Sequence, residues 1–176
     1  LPLRGRKGRT DEGGMRVPFI AGWAKSGDEN TFPMAKGVLH DSQIGTVMDL
    51  YATILEAAGA KNPADHVVDG VSLLRQLSGK ENPDRPDHFM CHFPHSHRSS
   101  NFTAFRKGDW KLIYRYKGKA KYELYDLQKD PFETKNLAES EPRKLKEMTK
   151  AMIARLEKED ALYPTDGDKE LRPLLP

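Results

Sequence analysis

The chain has 176 residues, enough for one ordinary domain or for one domain with a small addition. Its composition, 37% hydrophobic and 31% charged, is too apolar for a disordered chain, and no run approaches the roughly 20 apolar residues that span a bilayer. The single cysteine, Cys91, excludes an internal disulfide framework but does not decide the cellular compartment.

The positive charge is concentrated at the N-terminus. Five basic residues and two acidic residues lie within residues 1–16, an excess that equals the net charge of +3. A basic cluster among glycines suits an anion, although a solvated basic terminus would have the same charge. No aromatic residue interrupts the cluster before Phe19, so no base-stacking platform is visible and no nucleic-acid partner is expected.

The first half of the chain has the pattern of an incomplete α/β domain. Residues 1–14 predict a basic, Gly-rich loop, and the apolar run 17–23 predicts a strand covered on both faces. Helical spacing predicts an amphipathic helix over 46–58 and a short helix over 72–77. One strand and two helices do not complete a covered sheet. We therefore expect the end of a larger domain or, alternatively, an appendage to the antiparallel layer that follows.

The second half has a different pattern, separated from the first by the polar, Pro-containing linker 80–86. Residues 141–160 carry one apolar stripe and predict a long helix packed on a sheet, with Ser140 as its N-cap. Residues 164–176 predict a Pro-rich tail that is either loose or bound to the surface. Hairpin-like turns predict an antiparallel sheet of four strands at 87–92, 102–107, 110–116 and 121–127.

Four histidines, His88, His92, His95 and His97, lie close to Cys91 in the sequence. Imidazole and thiolate suggest a transition-metal site, but the spacing is not that of a zinc finger, and we predict no metal site. On a strand, His88 and His92 share one face while Cys91 points to the other, which favours a buried thiol. We expect His92 and His95 to lie at the rim of an active site and to donate hydrogen bonds to a polar substrate.

Four stretches, in this order, match a known pattern: residues 2–18 (PLRGRKGRTDEGGMRVP), 49–59 (DLYATILEAAG), 69–74 (DGVSLL), and the pair 105–113 and 123–137. The first closely resembles the signature PLRG-x-KG-x-x-x-EGG-x-RVP of the formylglycine-dependent sulfatases, which belong to the alkaline-phosphatase-like superfamily. The second resembles a helix of that family with Ala52 in place of the usual proline. The others resemble its DG-x-SLLP segment and its C-terminal hairpin and turn.

The resemblance implies a fold for each half of the chain. Residues 1–85 would be the last strand and helices of the α/β catalytic domain. Residues 86–176 would be a smaller C-terminal subdomain, a four-stranded antiparallel sheet with helix 141–160 packed on it and a Pro-rich tail. The expected fold class is therefore the end of an α/β domain followed by an α+β subdomain.

The resemblance also implies a role for Lys7. It matches the family lysine that contacts the sulfate ester near its bridging oxygen, where an ammonium can balance developing negative charge. Arg4 in the same loop, together with His92 and His95, is expected to bind substrate.

The chain lacks other parts of the family's site. The nucleophile of a sulfatase is a formylglycine made from Cys or Ser in C/S-x-P/A-x-R, and the sequence around Cys91 does not fit that pattern. The calcium ligands of the family lie upstream of the Lys7 motif. We therefore expect calcium and formylglycine in the full-length enzyme, neither supplied by this chain, and expect the chain alone to be inactive.

Three functions follow as hypotheses. The first is the C-terminal portion of a sulfatase acting on sulfated glycans or aryl sulfates. The second is a phosphonate or phosphodiester hydrolase of the same superfamily, and the third is a non-catalytic module that binds sulfated polysaccharide through the basic loop. The expected partners are the substrate, the missing N-terminal catalytic portion and, through an unpaired sheet edge, another copy of the chain. The resemblance implies a periplasmic, extracellular or lysosomal location, and the lack of a long apolar run predicts no membrane partner.

Overall fold

The computed structural model describes residues 3–24, 34–96, 101–118 and 121–176. The chain forms two compact units, which we call the sheet unit (Leu1–Pro18 and His88–Pro176) and the helical unit (Phe19–Asp87). The basic N-terminal loop thus lies with the sheet, whereas the sequence analysis grouped it with the helices that follow. The assignment of residues 1–85 and 86–176 to two domains of a longer protein stays a prediction.

The sheet unit is built on a four-stranded antiparallel meander with the strand order β1-β2-β3-β4. Met90 pairs with Phe105, Phe105 with Leu112, and Leu112 with Leu124, so these four side chains lie on one face. All four predicted strands are confirmed, as β1 (His88–Phe93), β2 (Phe102–Lys107), β3 (Trp110–Arg115) and β4 (Tyr122–Asp126).

A long helix, Pro142–Lys158, covers the first face of the sheet, which we call the helix face. Its buried residues include Leu145, Met148, Met152 and Leu156, so the predicted apolar stripe is confirmed as the packing surface. The predicted N-cap is wrong by one residue. Glu141 occupies that position, and the Ser140 hydroxyl instead donates to the Leu137 carbonyl. Pro142 begins the helix, where its missing N–H needs no partner.

The C-terminal tail lies on the surface of the sheet unit. Two short strands, Thr165–Asp166 and Lys169–Glu170, pair with each other. The Tyr122 hydroxyl donates to the Leu174 carbonyl at 2.6 Å, and Leu171 packs against the core beneath the long helix. The surface-bound alternative is therefore confirmed.

The opposite face of the sheet carries a second, smaller apolar cluster formed by Phe102, Ala104, Ile113, Tyr125 and Leu127. Met15 packs against this cluster at the end of α1 (Glu12–Met15), a one-turn helix in the N-terminal loop. We call this side of the sheet the loop face. The loop therefore takes the place that a second helix layer would occupy in a larger protein.

The helical unit is organised around Asp49, the first residue of α2 (Asp49–Ala57). Its buried carboxylate pairs with Arg85 and accepts the Val71 N–H at 2.9 Å. A Cβ at Gly70 would lie 2.2 Å from the Met48 carbonyl oxygen, so the chain before Val71 passes too close to α2 for any side chain. These contacts explain why Asp49 and Gly70 belong to recognisable motifs.

The predicted strand over 17–23 is wrong, because these residues have no regular secondary structure. Ile20 is 90% exposed, and Val47 and Ile54 on the predicted apolar stripe of α2 are exposed as well. A strand of a covered sheet obtains its hydrogen bonds and its apolar cover from neighbouring strands, and the described residues provide none here. The short helix predicted over 72–77 is present as α3 (Leu74–Leu77). Within the described ranges, no helix has the length and apolar character needed to cross a bilayer.

We predict that Leu156→Ala destabilises the sheet unit by about 2–5 kcal/mol, because truncating a fully buried leucine removes contacts and leaves a cavity. Urea unfolding of the chain measures the change. Leu162→Ala is the matched control, since Leu162 is 78% exposed and should change the unfolding free energy by less than about 0.5 kcal/mol. Equal effects of the two substitutions would contradict the packing described.

Candidate functional site

Lys7 lies at the tip of a tight turn in the N-terminal loop. The Arg9 N–H donates to the Arg6 carbonyl at 3.0 Å, which closes a four-residue turn with Lys7 second and Gly8 third. Gly8 has a φ of +84°, the conformation that a type II turn requires at its third position. The Lys7 side chain is exposed and forms no ion pair with any described residue. Its ammonium is therefore free to meet an anion from solvent.

The two glycines of α1 allow the loop to close tightly around this helix. The Gly13 N–H donates to the Arg4 carbonyl at 2.7 Å. A Cβ at Gly13 would lie 2.5 Å from that oxygen, and one at Gly14 would lie 2.4 Å from the Arg9 carbonyl oxygen. Residues 4–14 therefore form a compact loop, and the turn that carries Lys7 is part of it.

Two arginines of the loop form ion pairs with Asp11. The Arg9 Nε lies 2.7 Å from one carboxylate oxygen and the Arg4 Nε lies 3.3 Å from the other. Burial alone would raise the pKa of Asp11, but the hydrogen bond from Arg9 and the charges of Arg9, Arg4 and Lys111 hold that pKa below its ordinary value. Arg4 also donates to the Glu133 carbonyl at 2.5 Å. These contacts tie Arg4 into the loop, and substrate binding by Arg4 stays a prediction.

The deepest charged group is the Lys111 cluster, which we define as Lys111, Glu12 and Glu133. The Lys111 Nζ lies 2.9 Å from a Glu12 carboxylate oxygen and 2.8 Å from a Glu133 carboxylate oxygen. The second oxygen of Glu133 accepts the backbone N–H of Glu12 at 2.6 Å. Lys111 is 2% exposed and Glu133 is fully buried, so the lysine charge is shared between two carboxylates away from water.

The Lys111 cluster was not predicted from the sequence. Lys111 lies on β3 two residues from Ile113, so strand alternation puts a lysine on the same face as a fully buried isoleucine. That position was the available signal. Glu133 gave no signal, because its place beside Lys111 depends on a turn in which its own φ is +53°.

His92 lies on the helix face of the sheet, opposite to the face that carries the Lys7 loop. Its Nε2 donates to the Leu162 carbonyl at 2.6 Å. Its Nδ1 lies 2.8 Å from the Thr103 hydroxyl, which in turn lies 2.8 Å from the Tyr116 hydroxyl. With Nε2 as the donor to Leu162, Nδ1 is the acceptor of a hydrogen bond from the Thr103 hydroxyl. The structure does not bring His92 together with Lys7, and its contact with substrate stays a prediction.

The other histidines and the cysteine are separated in the structure. His95 is exposed and lies edge-on to Phe93, while His97 lies outside the described residues. Cys91 is half-buried among the apolar residues of the loop face, and burial raises the pKa of its thiol, with the Lys111 charge acting in the opposite direction. A thiol with a raised pKa is a poor nucleophile at neutral pH. The expected separation of Cys91 from His92 across the strand is present.

The carboxylates of the N-terminal loop do not form a metal site. Within residues 3–24, 34–96, 101–118 and 121–176, no group of three or more His, Cys, Asp or Glu side chains could hold one. The loop carboxylates Asp11, Glu12 and Glu133 are each paired with Arg or Lys. Calcium needs several free oxygen ligands, and these carboxylates do not fit that role.

We predict that Asp11 stabilises the chain at neutral pH and loses this effect in acid. A carboxylate whose pKa is lowered on folding contributes above its unfolded pKa, near 3.8, and the contribution disappears as the pH falls through the folded pKa. Asp11→Asn should therefore lower the unfolding free energy by about 1.5–3 kcal/mol at about pH 7 and by less at about pH 3.

Urea unfolding at the two pH values tests this expectation. Asp168→Asn, at an exposed aspartate of the tail, is the control and should have a small effect at both. A loss for Asp11→Asn that is as large in acid as at neutral pH would show that Asp11 does not act through its charge.

The chain is similar in sequence to known proteins along most of its length. Residues 10–161 match the family described as N-sulphoglucosamine sulphohydrolase, C-terminal. The chain is 34% identical over 156 residues to a sulfatase of Formosa agariphila, covering 80% of this chain and 26% of that protein. It is 42% identical over 108 residues to the N-acetylgalactosamine-6-sulfatase of Canis lupus familiaris, covering 61% of this chain and 18% of that protein.

Solved structures show the same likeness. The chain resembles BT4656, solved in complex with its substrate D-glucosamine-2-N,6-O-disulfate, with 27% identity, a TM-score of 0.54, and coverage of 64% of this chain and 24% of that one. It shares its fold with Ps i-CgsB, solved in complex with k-i-k-neocarrahexaose, at 24% identity and a TM-score of 0.62 over 93% of this chain and 33% of that one. The matched part of the chain therefore corresponds to between 18% and 33% of the length of these proteins.

Proposed function

The chain belongs to the sulfatase family, and we propose that it forms the C-terminal part of an enzyme that hydrolyses sulfate esters. The match covers residues 10–161, which include the second part of the N-terminal loop, the sheet and the long helix but not Lys7 itself. The observation that carries the proposal is the exposed Lys7 on a turn whose flanking residues are hydrogen-bonded to the rest of the sheet unit. A family match without a correctly presented cation would support the fold alone.

We propose that Lys7 contacts the sulfate ester near its bridging oxygen. When the S–O bond breaks, negative charge develops on the leaving oxygen, and an ammonium at that position stabilises it. Lys7 suits this role because it is exposed and lacks an ion-pair partner among the described residues. Arg4, in contrast, already pairs with Asp11 and donates to the Glu133 carbonyl, so we propose that it contributes less to substrate binding than Lys7 does.

The proposed substrates are sulfated glycans, with aryl sulfates as simpler alternatives. Support comes from the relatives, which include an N-acetylgalactosamine-6-sulfatase and a protein solved with a disulfated glucosamine. A ring of sugar hydroxyls also suits a rim with histidine donors, and the exposed His95 is the better placed of the two predicted histidines. The family resemblance favours a periplasmic, extracellular or lysosomal enzyme.

The remaining chemistry is proposed to reside outside this chain. The formylglycine nucleophile and calcium belong to the part of the sulfatase fold that these 176 residues do not include. Here Cys91 has a raised pKa and the loop carboxylates are paired with cations, so neither provides a substitute. The chain alone is therefore proposed to be inactive and to depend on an N-terminal catalytic portion.

The helical unit supports the existence of that portion. Several large apolar side chains of the helical unit are exposed. They are Val38, Leu39, Val47, Met48, Tyr51, Ile54 and Val67. Exposed apolar side chains in this number, within one compact unit, are typical of an interface. Since the chain spans about a quarter of its relatives, we propose that the remainder of the longer protein covers this surface.

The first prediction concerns activity of the longer protein that contains this chain. Lys7→Ala should lower kcat/KM for sulfate release from a sulfated glucosamine by about 10²–10³-fold, the usual effect of losing one charge-stabilising donor. Lys150→Ala, on the exposed side of the long helix, is the control and should leave the rate unchanged. A faster reaction with a phosphonate ester than with the sulfate would move the assignment to the phosphonate hydrolases.

The second prediction concerns the apolar surface of the helical unit. Ile54→Ser should change the unfolding free energy of the isolated chain by less than about 0.5 kcal/mol and should reduce its self-association, because Ile54 is 65% exposed. In the longer protein the same change should lower the unfolding free energy by about 1.5–3 kcal/mol, the usual contribution of burying an isoleucine side chain. Leu175→Ser, at an exposed leucine of the tail, should be neutral in both. Equal effects in the two proteins would oppose the proposed interface.

A second function, the binding of sulfated polysaccharide without catalysis, is supported by Arg6, Lys7 and Arg16. All three are exposed, and none pairs with an acidic residue in the described part of the chain. Titration of the isolated chain with heparin tests it. Tight binding that is lost in Lys7→Ala, together with a longer protein that releases no sulfate, would favour this second function over the first.

A further inference from the structure

We propose that the Lys111 cluster is a positioning device for Lys7, so that Lys111, Glu12 and Glu133 act in sulfate hydrolysis through Lys7 without touching the substrate. This inference rests on the proposed function, because it assumes that Lys7 serves the sulfate. It begins from an observation that the proposed function does not use: a buried lysine shared by two carboxylates, 104 residues along the chain from Lys7.

The cluster holds α1 by both its side chain and its main chain. The Glu12 carboxylate accepts a hydrogen bond from the Nζ of Lys111 on β3 at 2.9 Å. The Glu12 N–H donates to the Glu133 carboxylate at 2.6 Å. Because one residue carries both contacts, α1 has little freedom to rotate or slide on the loop face of the sheet.

The position of α1 is passed to the Lys7 turn through short backbone contacts. Gly13 donates to the Arg4 carbonyl before the turn. A Cβ at Gly14 would lie 2.7 Å from the Arg6 carbonyl oxygen and 2.4 Å from the Arg9 carbonyl oxygen, and Arg6 and Arg9 are the first and last residues of the turn. These contacts have no room for a side chain, so a displacement of α1 must displace the turn.

Two further contacts fasten the flanks of the turn to the same part of the sheet. Before the turn, Arg4 donates to the Glu133 carbonyl at 2.5 Å. After it, Arg115 of β3 donates to the Thr10 hydroxyl at 3.2 Å. Glu133 therefore contacts the loop twice, since its carbonyl accepts from Arg4 and its carboxylate accepts from the Glu12 N–H. Lys7 is therefore an exposed residue on a segment that is anchored on both sides.

Removing the central charge should release this arrangement. Without Lys111, the Glu12 and Glu133 carboxylates face each other in a buried site, and the loss of one partner of such a group is strongly destabilising locally. The neighbouring Arg106, 3.7 Å from Glu12, is too distant and too exposed to replace Lys111. A shift of about 1 Å in a catalytic group can lower a rate by about 10²-fold.

The test is a double-mutant cycle in the longer protein, with Lys7→Ala, Lys111→Met and the combined variant, assayed for sulfate release. We expect Lys111→Met to lower kcat about 10–10²-fold while Lys7 is present and less than about twofold in the Lys7→Ala background. Lys111→Arg should recover part of the loss. An equal loss in both backgrounds would overturn the proposal, because it would show that Lys111 supports the protein without acting through Lys7.

A second measurement does not depend on activity. Hydrogen exchange of the chain should be faster at Gly13 and Gly14 in Lys111→Met than in the native chain, with the amide of Met152 in the long helix unchanged. Lys150→Met is the matched control and should change neither. Unchanged exchange at both glycines would also overturn the proposal.

The two measurements separate this inference from the proposed function. If Lys7→Ala leaves sulfate release intact, the proposed role of Lys7 fails while exchange still reports whether the cluster holds the loop. If Lys111→Met does not fold, Glu133→Gln replaces it in both experiments, since the amide keeps an oxygen for the Glu12 N–H. It should give the same pattern with a smaller amplitude.

Discussion

The pairing of one buried lysine with two buried carboxylates is the constraint on which the sheet unit depends. Lys111 would be very unfavourable in the interior alone, and so would Glu12 and Glu133. The Lys111 Nζ lies 2.9 Å from Glu12 and 2.8 Å from Glu133, and these ion pairs offset the cost of burying the three charges. Both pairs form only when the loop, the strand and the turn are arranged as they are here. The N-terminal loop is therefore held in one position by charge, whereas apolar packing through Met15 alone would allow it to slide.

The two faces of the sheet are stabilised by different interactions. The helix face buries leucine, methionine and tyrosine side chains, which give stability and tolerate small readjustments. The loop face combines a small apolar cluster with Lys111, Arg106 and Arg115 on alternate positions of β2 and β3. Directional ion pairs suit a surface that must present an exposed Lys7 at one place.

The accuracy of sequence reasoning depends here on how far apart the partners are. The strands and the long helix follow from periods of two and of 3.6 residues, and β1 to β4 and Pro142–Lys158 were predicted to within one or two residues. Residues 17–23 have the composition of a strand but lack the neighbours that would make them one. Lys7 was found by its resemblance to a motif. The Lys111 cluster was missed because Glu12 and Glu133 join it from 99 and 22 positions away.

The separation in sequence also sets an order of folding. Strands β1 to β4 are joined by short turns, and the long helix follows them closely, so these elements can meet through local contacts. The loop reaches the sheet unit only by closing a long stretch of chain, since Glu12 and Lys111 are 99 positions apart and Arg4 and Glu133 are 129 positions apart. We therefore expect the sheet and its helix to form first and the loop to dock last. On this pathway the site around Lys7 matures in the final step, and a nascent chain would gain it only after Glu133 has been synthesised.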